Sequence, residues 1–126
     1  MNVVDSSGWL EYFADGPNAD KFALAIQNTR ELIVPTLSIY EVFKRVLQQR
    51  SGTEALRAVA LMQQGRVIDL DATIALSAAK LSVDLKLPMA DSVMLATAQK
   101  YQATLWTQDV DFEGMERVRY FAKGPS

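Results

Sequence analysis

Short apolar runs recur along this chain at wide intervals: "NVV" at residues 2–4, "ELIVP" at 31–35, "RVIDL" at 66–70 and "TLWT" at 104–107. Between them lie long stretches in which apolar residues return every three to four positions. Runs this short and this continuous fit strands covered on both faces, and the helical period between them supplies the cover. Successive strands joined through helices lie parallel, so the pattern predicts a parallel sheet sandwiched between helices.

The helical stretches carry their own punctuation. "SGWLEYFAD" holds Trp9, Leu10, Tyr12 and Phe13 at helical spacing and ends at Gly16 and Pro17, and a second helix is predicted from Asn18 to about Asn28. "TLSIYEVFKRVLQQR" has an apolar stripe of Leu37, Ile39, Tyr40, Phe43, Val46 and Leu47, with Thr36 as its expected N-cap and Gly52 as its stop. Helices follow over Thr53–Gly65, over "DATIALSAAKLSVDLK" with Asp71 as cap, and over "ADSVMLATAQKY", which is small and apolar on nearly every face and should be buried. "RVRYF" closes the series as a short fifth strand at the edge, giving the order β-α-α-β-α-α-β-α-α-β-β. The expected fold class is a three-layer α/β/α sandwich around a mainly parallel sheet of four to five strands, with residues 1–126 forming one domain.

Composition narrows the chemistry. Apolar residues make up 49% and charged residues 22%, a globular usage that argues against disorder. The chain has no cysteine, so no disulfide framework and no thiolate metal site is expected. Histidine is absent as well, which removes the commonest general base and the commonest nitrogen ligand. The start "MNVVDSSGWL" lacks the basic and apolar regions of a signal peptide, and the expected location is cytoplasmic, with no membrane association. A net charge of −2 offers no broad basic coat for nucleic acid, although a local basic rim remains compatible with it.

Four acids point to one place. Asp5 ends the first strand and Asp109 follows the fourth, so a parallel sheet brings both to its carboxyl edge, where open α/β sheets bind ligands. Glu41 lies early in the helix after the second strand, and Asp91 opens the buried helix before the fourth. Each has an ordinary alternative. Asp5 and Asp91 read as helix caps, Asp109 as a turn cap, and Ser38 with Glu41 has the spacing of a capping box. Four carboxylates at one edge repel, by about 4 kcal/mol for a pair at roughly 4 Å and an effective dielectric near 20. Such a group needs a cation, and oxygen-only ligation selects a hard ion, Mg²⁺ or Mn²⁺, that also meets substrate phosphate.

The pattern "VVDSS", the glutamate in "SIYEV", "LPMADSVMLATA" and "LWTQDVDF" resembles the PIN-domain ribonucleases, in particular the VapC-type toxins of toxin–antitoxin pairs. The likeness runs nearly the whole chain. It implies a Mg²⁺-dependent endoribonuclease in which Asp5, Glu41, Asp91 and Asp109 are the catalytic, metal-holding acids, with Asp111, Ser6 and Thr107 as auxiliaries. It also implies an RNA substrate, a small antitoxin partner and a homodimer. Lys44 and Arg45 stand one helical turn after Glu41 and are candidates for gripping substrate phosphates, with a solvated face as the alternative. Arg50, Lys80 and Lys86 are weaker candidates, Trp9 and Tyr12 read as core or dimer contacts, and Phe112 reads as an apolar peg for the loop after the fourth strand. Two further readings share the fold: an RNA-processing nuclease that is no toxin, and a binding module without turnover.

Overall fold

Each apolar run becomes a strand. In the computed structural model, which describes residues 1–125, the elements are β1 (Asn2–Val4), α1 (Ser6–Phe13), α2 (Ala19–Ile26), β2 (Leu32–Pro35), α3 (Thr36–Gln49), α4 (Gly52–Met62), β3 (Arg66–Ile68), α5 (Ala72–Leu85), α6 (Met89–Lys100), β4 (Thr104–Thr107) and β5 (Val118–Tyr120). Short 3-10 turns occupy Thr29–Glu31 and Val110–Phe112. The sheet order is β3-β2-β1-β4-β5, and every neighbouring pair is parallel. The predicted α/β/α sandwich is the observed one, down to the fifth strand at the edge.

Alternation along each strand explains the three layers. Val4, Leu32, Val34 and Trp106 enter one core with Trp9, Phe22, Val42 and Met62 from the helices α1 to α4. Val3, Ile33 and Leu105 point the other way, into a core with Leu87, Met94, Leu95 and Phe112. Successive side chains of a strand face opposite sides, so strands covered on both sides must be apolar throughout. Residues Ser92 to Ala98 of α6 are all buried, as its uniform apolar composition predicts. Trp9 is fully buried, which assigns it to the core. Among the described residues no helix is long and apolar enough to cross a membrane.

Several helix ends differ from expectation. Thr36 is the first residue of α3 and not its cap; Pro35 occupies the N-cap position, with no side-chain hydrogen bond. The reason is that β2 runs straight into α3: Pro35 still pairs with Ile68 in the sheet, leaving no loop residue to cap the helix. Gly52 opens α4 instead of stopping α3, with Ser51 capping through a 3.2 Å bond from the Glu54 amide. Asp71 caps α5 as predicted, accepting from the Ile74 amide at 2.9 Å.

One glycine governs how closely α1 approaches the sheet. A Cβ on Gly8 would lie 2.7 Å from both the Phe22 ring and Val4 Cγ1. Alanine gains roughly 1 kcal/mol of helix propensity, but forcing two packed core side chains apart costs about 1–3 kcal/mol. Gly8→Ala is therefore expected to lower the urea midpoint at an unchanged slope, and a midpoint at or above wild type would show that α1 can shift without loss.

Candidate active site

The strand order reverses between β1 and β4, and the crevice outside their carboxyl ends is where the acids collect. Asp5 leaves β1 in extended conformation and caps α1, accepting from the Gly8 amide at 3.1 Å. The Ser7 hydroxyl donates to the same oxygen at 2.7 Å, and the Thr107 hydroxyl donates to the other oxygen at 2.8 Å. Burial nonetheless pushes the Asp5 carboxyl up to about 6, against the lowering effect of those three donors, and the Asp109 charge adds to the rise.

Thr107 links the two strand ends. While donating to Asp5, its hydroxyl accepts from the Asp109 amide at 2.9 Å. Asp109 in turn caps the turn Val110–Phe112 through a 2.9 Å bond from the Asp111 amide, and Phe112 is fully buried beneath it as the predicted peg. The cap readings of Asp5 and Asp109 are thus both real, and they coexist with the gathering of acids.

Asp91 is not a cap. It is the third residue of α6, whose N-cap is Pro88, and its carboxylate faces the others. One oxygen from each of Asp91, Asp109 and Asp111 lies within 4.8 Å of the other two. Burial, then the Asp109 charge and hydrogen bonds to Asp109 and Asp111, push the Asp91 carboxyl up to about 8, and the Asp5 charge adds to the effect. Asp111, expected as an auxiliary, belongs to this trio, whereas Asp5 adjoins it through Thr107.

Glu41 joins from α3, where its Oε1 accepts from the Ser6 hydroxyl at 2.6 Å. The capping box with Ser38 does not form. Ser38 lies inside the helix, buried, and donates back to the Pro35 carbonyl at 2.6 Å, which leaves Glu41 to reach Ser6. The ion pairs among the described residues all lie elsewhere: the amino terminus with Glu31, Arg50 with Glu54, Lys80 with Asp84 and Lys100 with Asp71. Among the described residues, none of the gathered acids forms an ion pair with a lysine or arginine. The basic candidates separate: Arg45 lines a groove of about 600 Å³ with Leu10, Phe13, Val46, Arg57 and Leu61, while Lys44 rests 5.7 Å from the Tyr40 ring centre.

A family model for the PIN domain matches residues 3–118. This chain belongs to the PIN-domain family. Among solved structures, this PIN domain resembles a toxin–antitoxin complex from Klebsiella pneumoniae at 20% identity and a TM-score of 0.79, covering 94% of this chain and 96% of that one. A sarcin-ricin loop cleaving toxin, VapC20 of Mycobacterium tuberculosis, superimposes with a TM-score of 0.77 at 18% identity, covering 94% and 99% of the two chains. The VapBC2 assembly of Rickettsia felis, bound to a DNA fragment from its promoter, gives 0.73 at 13% identity with 98% of each chain covered. No curated protein matches the sequence.

Three residues in or beside this PIN-domain site escape a reading of the sequence. Ser7 supplies a donor to Asp5, yet it is indistinguishable in sequence from Ser6. The buried Asn18 and Gln108, which bond at 3.1 Å beside the site, stand 90 positions apart, and nothing local relates them.

The crowding has a thermodynamic signature. Asp5 and Asp91 both hold their protons above the ordinary 3.8, so between about pH 4 and pH 8 the folded chain binds protons that the unfolded chain has released. Stability must fall as pH rises through that window. Metal-free protein is expected to melt progressively lower from pH 5 toward pH 8, followed by scanning calorimetry. Asp91→Asn, which mimics the protonated acid, should flatten the upper half of that slope and raise the melting temperature at pH 8. A melting temperature that climbs steadily from pH 5 to pH 8 would contradict the crowding.

Proposed function

We propose that this PIN domain is a Mg²⁺-dependent endoribonuclease and the toxin of a toxin–antitoxin pair, hydrolysing RNA phosphodiester bonds in the cytoplasm with Mn²⁺ as an alternative ion. The observation that carries this reading is the convergence of Asp91, Asp109 and Asp111, with Asp5 adjoining, at the switch point of the sheet with no ion pair to a lysine or arginine among the described residues. The donor set fits a hard divalent ion: every available ligand is a carboxylate or hydroxyl oxygen, and the chain holds no histidine or cysteine. Asp5, Asp91 and Asp109 would hold the ion, with Asp111 and Glu41 as further ligands or as partners of an ordered water. Bound there, the ion supplies Lewis-acid polarisation of the phosphate and activation of water for in-line attack.

The protein's own groups prepare that chemistry. Ser7 and Thr107 each hold one oxygen of Asp5 and fix its orientation. Ser6 engages Oε1 of Glu41, which would leave Oε2 for an ion or an ordered water. The proton that Asp91 holds beside Asp109 and Asp111 has to leave before the three carboxylates could act together as ligands. Since water is the nucleophile, neither histidine nor the RNA 2′-hydroxyl is required, and the product carries a 5′-phosphate.

The structural likeness to toxin–antitoxin complexes supports an antitoxin partner, and the apolar floor of the groove beside α1 offers it a surface. Leu76 and Val83, 75% and 79% exposed on α5, support self-association into a homodimer. An RNA-processing role with the same site would share the chemistry and differ in the partner.

Cleavage of structured RNA is expected to require Mg²⁺ or Mn²⁺, and Asp5→Asn or Asp91→Asn should lower its rate by roughly 100-fold or more. Folded variants that keep wild-type rates, or wild-type cleavage that persists in excess chelator, would sink the proposal. A silent binding module would instead show no heat and no change in melting temperature when titrated with Mn²⁺.

A further inference from the structure

We propose that Lys123, with Gln108 and Tyr120, forms a substrate subsite that grips the RNA phosphate and base flanking the scissile bond. The inference deepens the nuclease reading and rests on it. A pocket of about 350 Å³ opens directly beside the acids, lined by Ser7, Gln108, Asp109, Val110, Tyr120 and Lys123. Asp109 is one of the gathered acids, and Ser7 is bonded to Asp5. A phosphate seated at the acids therefore has its neighbouring nucleotide in this pocket.

Lys123 is the cation of the pocket and makes no ion pair among the described residues. It also lines the larger groove, together with Ser7 and Gln108, so it stands where the two cavities meet. An acidic crevice repels an approaching polyanion, and an unpaired ammonium at its rim offsets that repulsion as a point charge.

The segment that carries Lys123 is pinned on both sides. The Phe121 amide donates to the Thr107 carbonyl at 2.9 Å, extending the pairing of β5 with β4. The Phe121 ring meets Phe22 edge-on at 5.4 Å. The Ala122 carbonyl accepts from the buried Asn18 side chain at 2.9 Å. On the far side, Gly124 lies so close to Pro17 that an added Cβ would come within 2.6 Å of it. The backbone at Lys123 is thus ordered by the fold, and binding need not meet that entropic cost.

Gln108 is oriented by the same anchor. The Asn18 amide nitrogen must face the Ala122 carbonyl, so it also donates to Gln108 Oε1 at 3.1 Å. The reverse orientation of Gln108 would set two donors against each other, which leaves its own amide N–H groups for a ligand. Tyr120, half-buried at the end of β5, adds a ring on the pocket wall against which a base can stack.

The test uses the whole chain, a cleavable oligoribonucleotide and a series of NaCl concentrations. Lys123 is exposed and makes no hydrogen bond or ion pair among the described residues, so Lys123→Gln should fold as wild type. It is expected to raise KM about tenfold with kcat within about twofold, and to make the salt dependence of kcat/KM shallower by about one charge. Lys123→Arg should restore both. Wild-type KM and salt slope in Lys123→Gln would overturn the subsite while leaving the nuclease reading intact. Should wild type cleave nothing, the nuclease reading fails, and fluorescence anisotropy of the same oligonucleotide with Ca²⁺ in place of Mg²⁺ decides the subsite. Binding about tenfold weaker in Lys123→Gln supports it; equal affinities, or no binding by wild type, overturn it.

Discussion

The buried carboxylate of Asp5, at the end of the central strand, is the constraint from which the rest of the site follows. An ionised carboxylate taken out of water costs several kcal/mol unless its lone pairs are met. Its donors come from two directions: Ser7 and Gly8 at the start of α1, and Thr107 at the end of β4. Satisfying Asp5 therefore fixes where α1 begins and ties β4 to β1 beyond their ladder. A hydroxyl can donate once and accept at the same time, so Thr107 passes the constraint on to the Asp109 amide. One chain of hydrogen bonds thus orients both aspartates delivered by the sheet.

That arrangement is stable only in part. The donors favour the charged form of Asp5, yet burial outweighs them and keeps its carboxyl above the ordinary range. At Asp91 the balance tips further, because to the effect of burial is added the crowding by Asp109 and Asp111. A proton relieves the repulsion in the free protein, and a divalent cation would relieve it by a different route. Carboxylates kept close at a cost in stability are the expected mark of a site selected for function.

Capping a helix or turn and joining the gathered acids are not alternatives. The N-cap of a helix that follows a parallel strand lies at the carboxyl edge of the sheet, where ligands bind. Asp5 caps α1 with one oxygen while the other accepts from Thr107, which ties it to Asp109. The capping box that Ser38 and Glu41 offered as an alternative does not form for the converse reason: with Pro35 still in the sheet and at the N-cap, Ser38 is already the third residue of α3. Lys44 and Arg45 looked equivalent in sequence, but successive helical residues diverge by about 100°. One faces the groove and the other lies over Tyr40.

The sequence by itself determined the alternation of strands and helices, the burial of α6, the absence of histidine and cysteine from any possible ligand set, and the order of the acids along the chain. Those properties follow from periodicity and residue type, which are local. Only the tertiary structure decided that Asp111 stands with Asp91 and Asp109, that Ser6 and not Ser38 holds Glu41, and that Asn18 fixes Gln108 and the segment bearing Lys123. Asp91 and Asp111 are 20 positions apart, Ser6 and Glu41 are 35 apart, and Asn18 stands 90 from Gln108 and 104 from Ala122, so only the crossing of strands, helices and loops in space sets these distances.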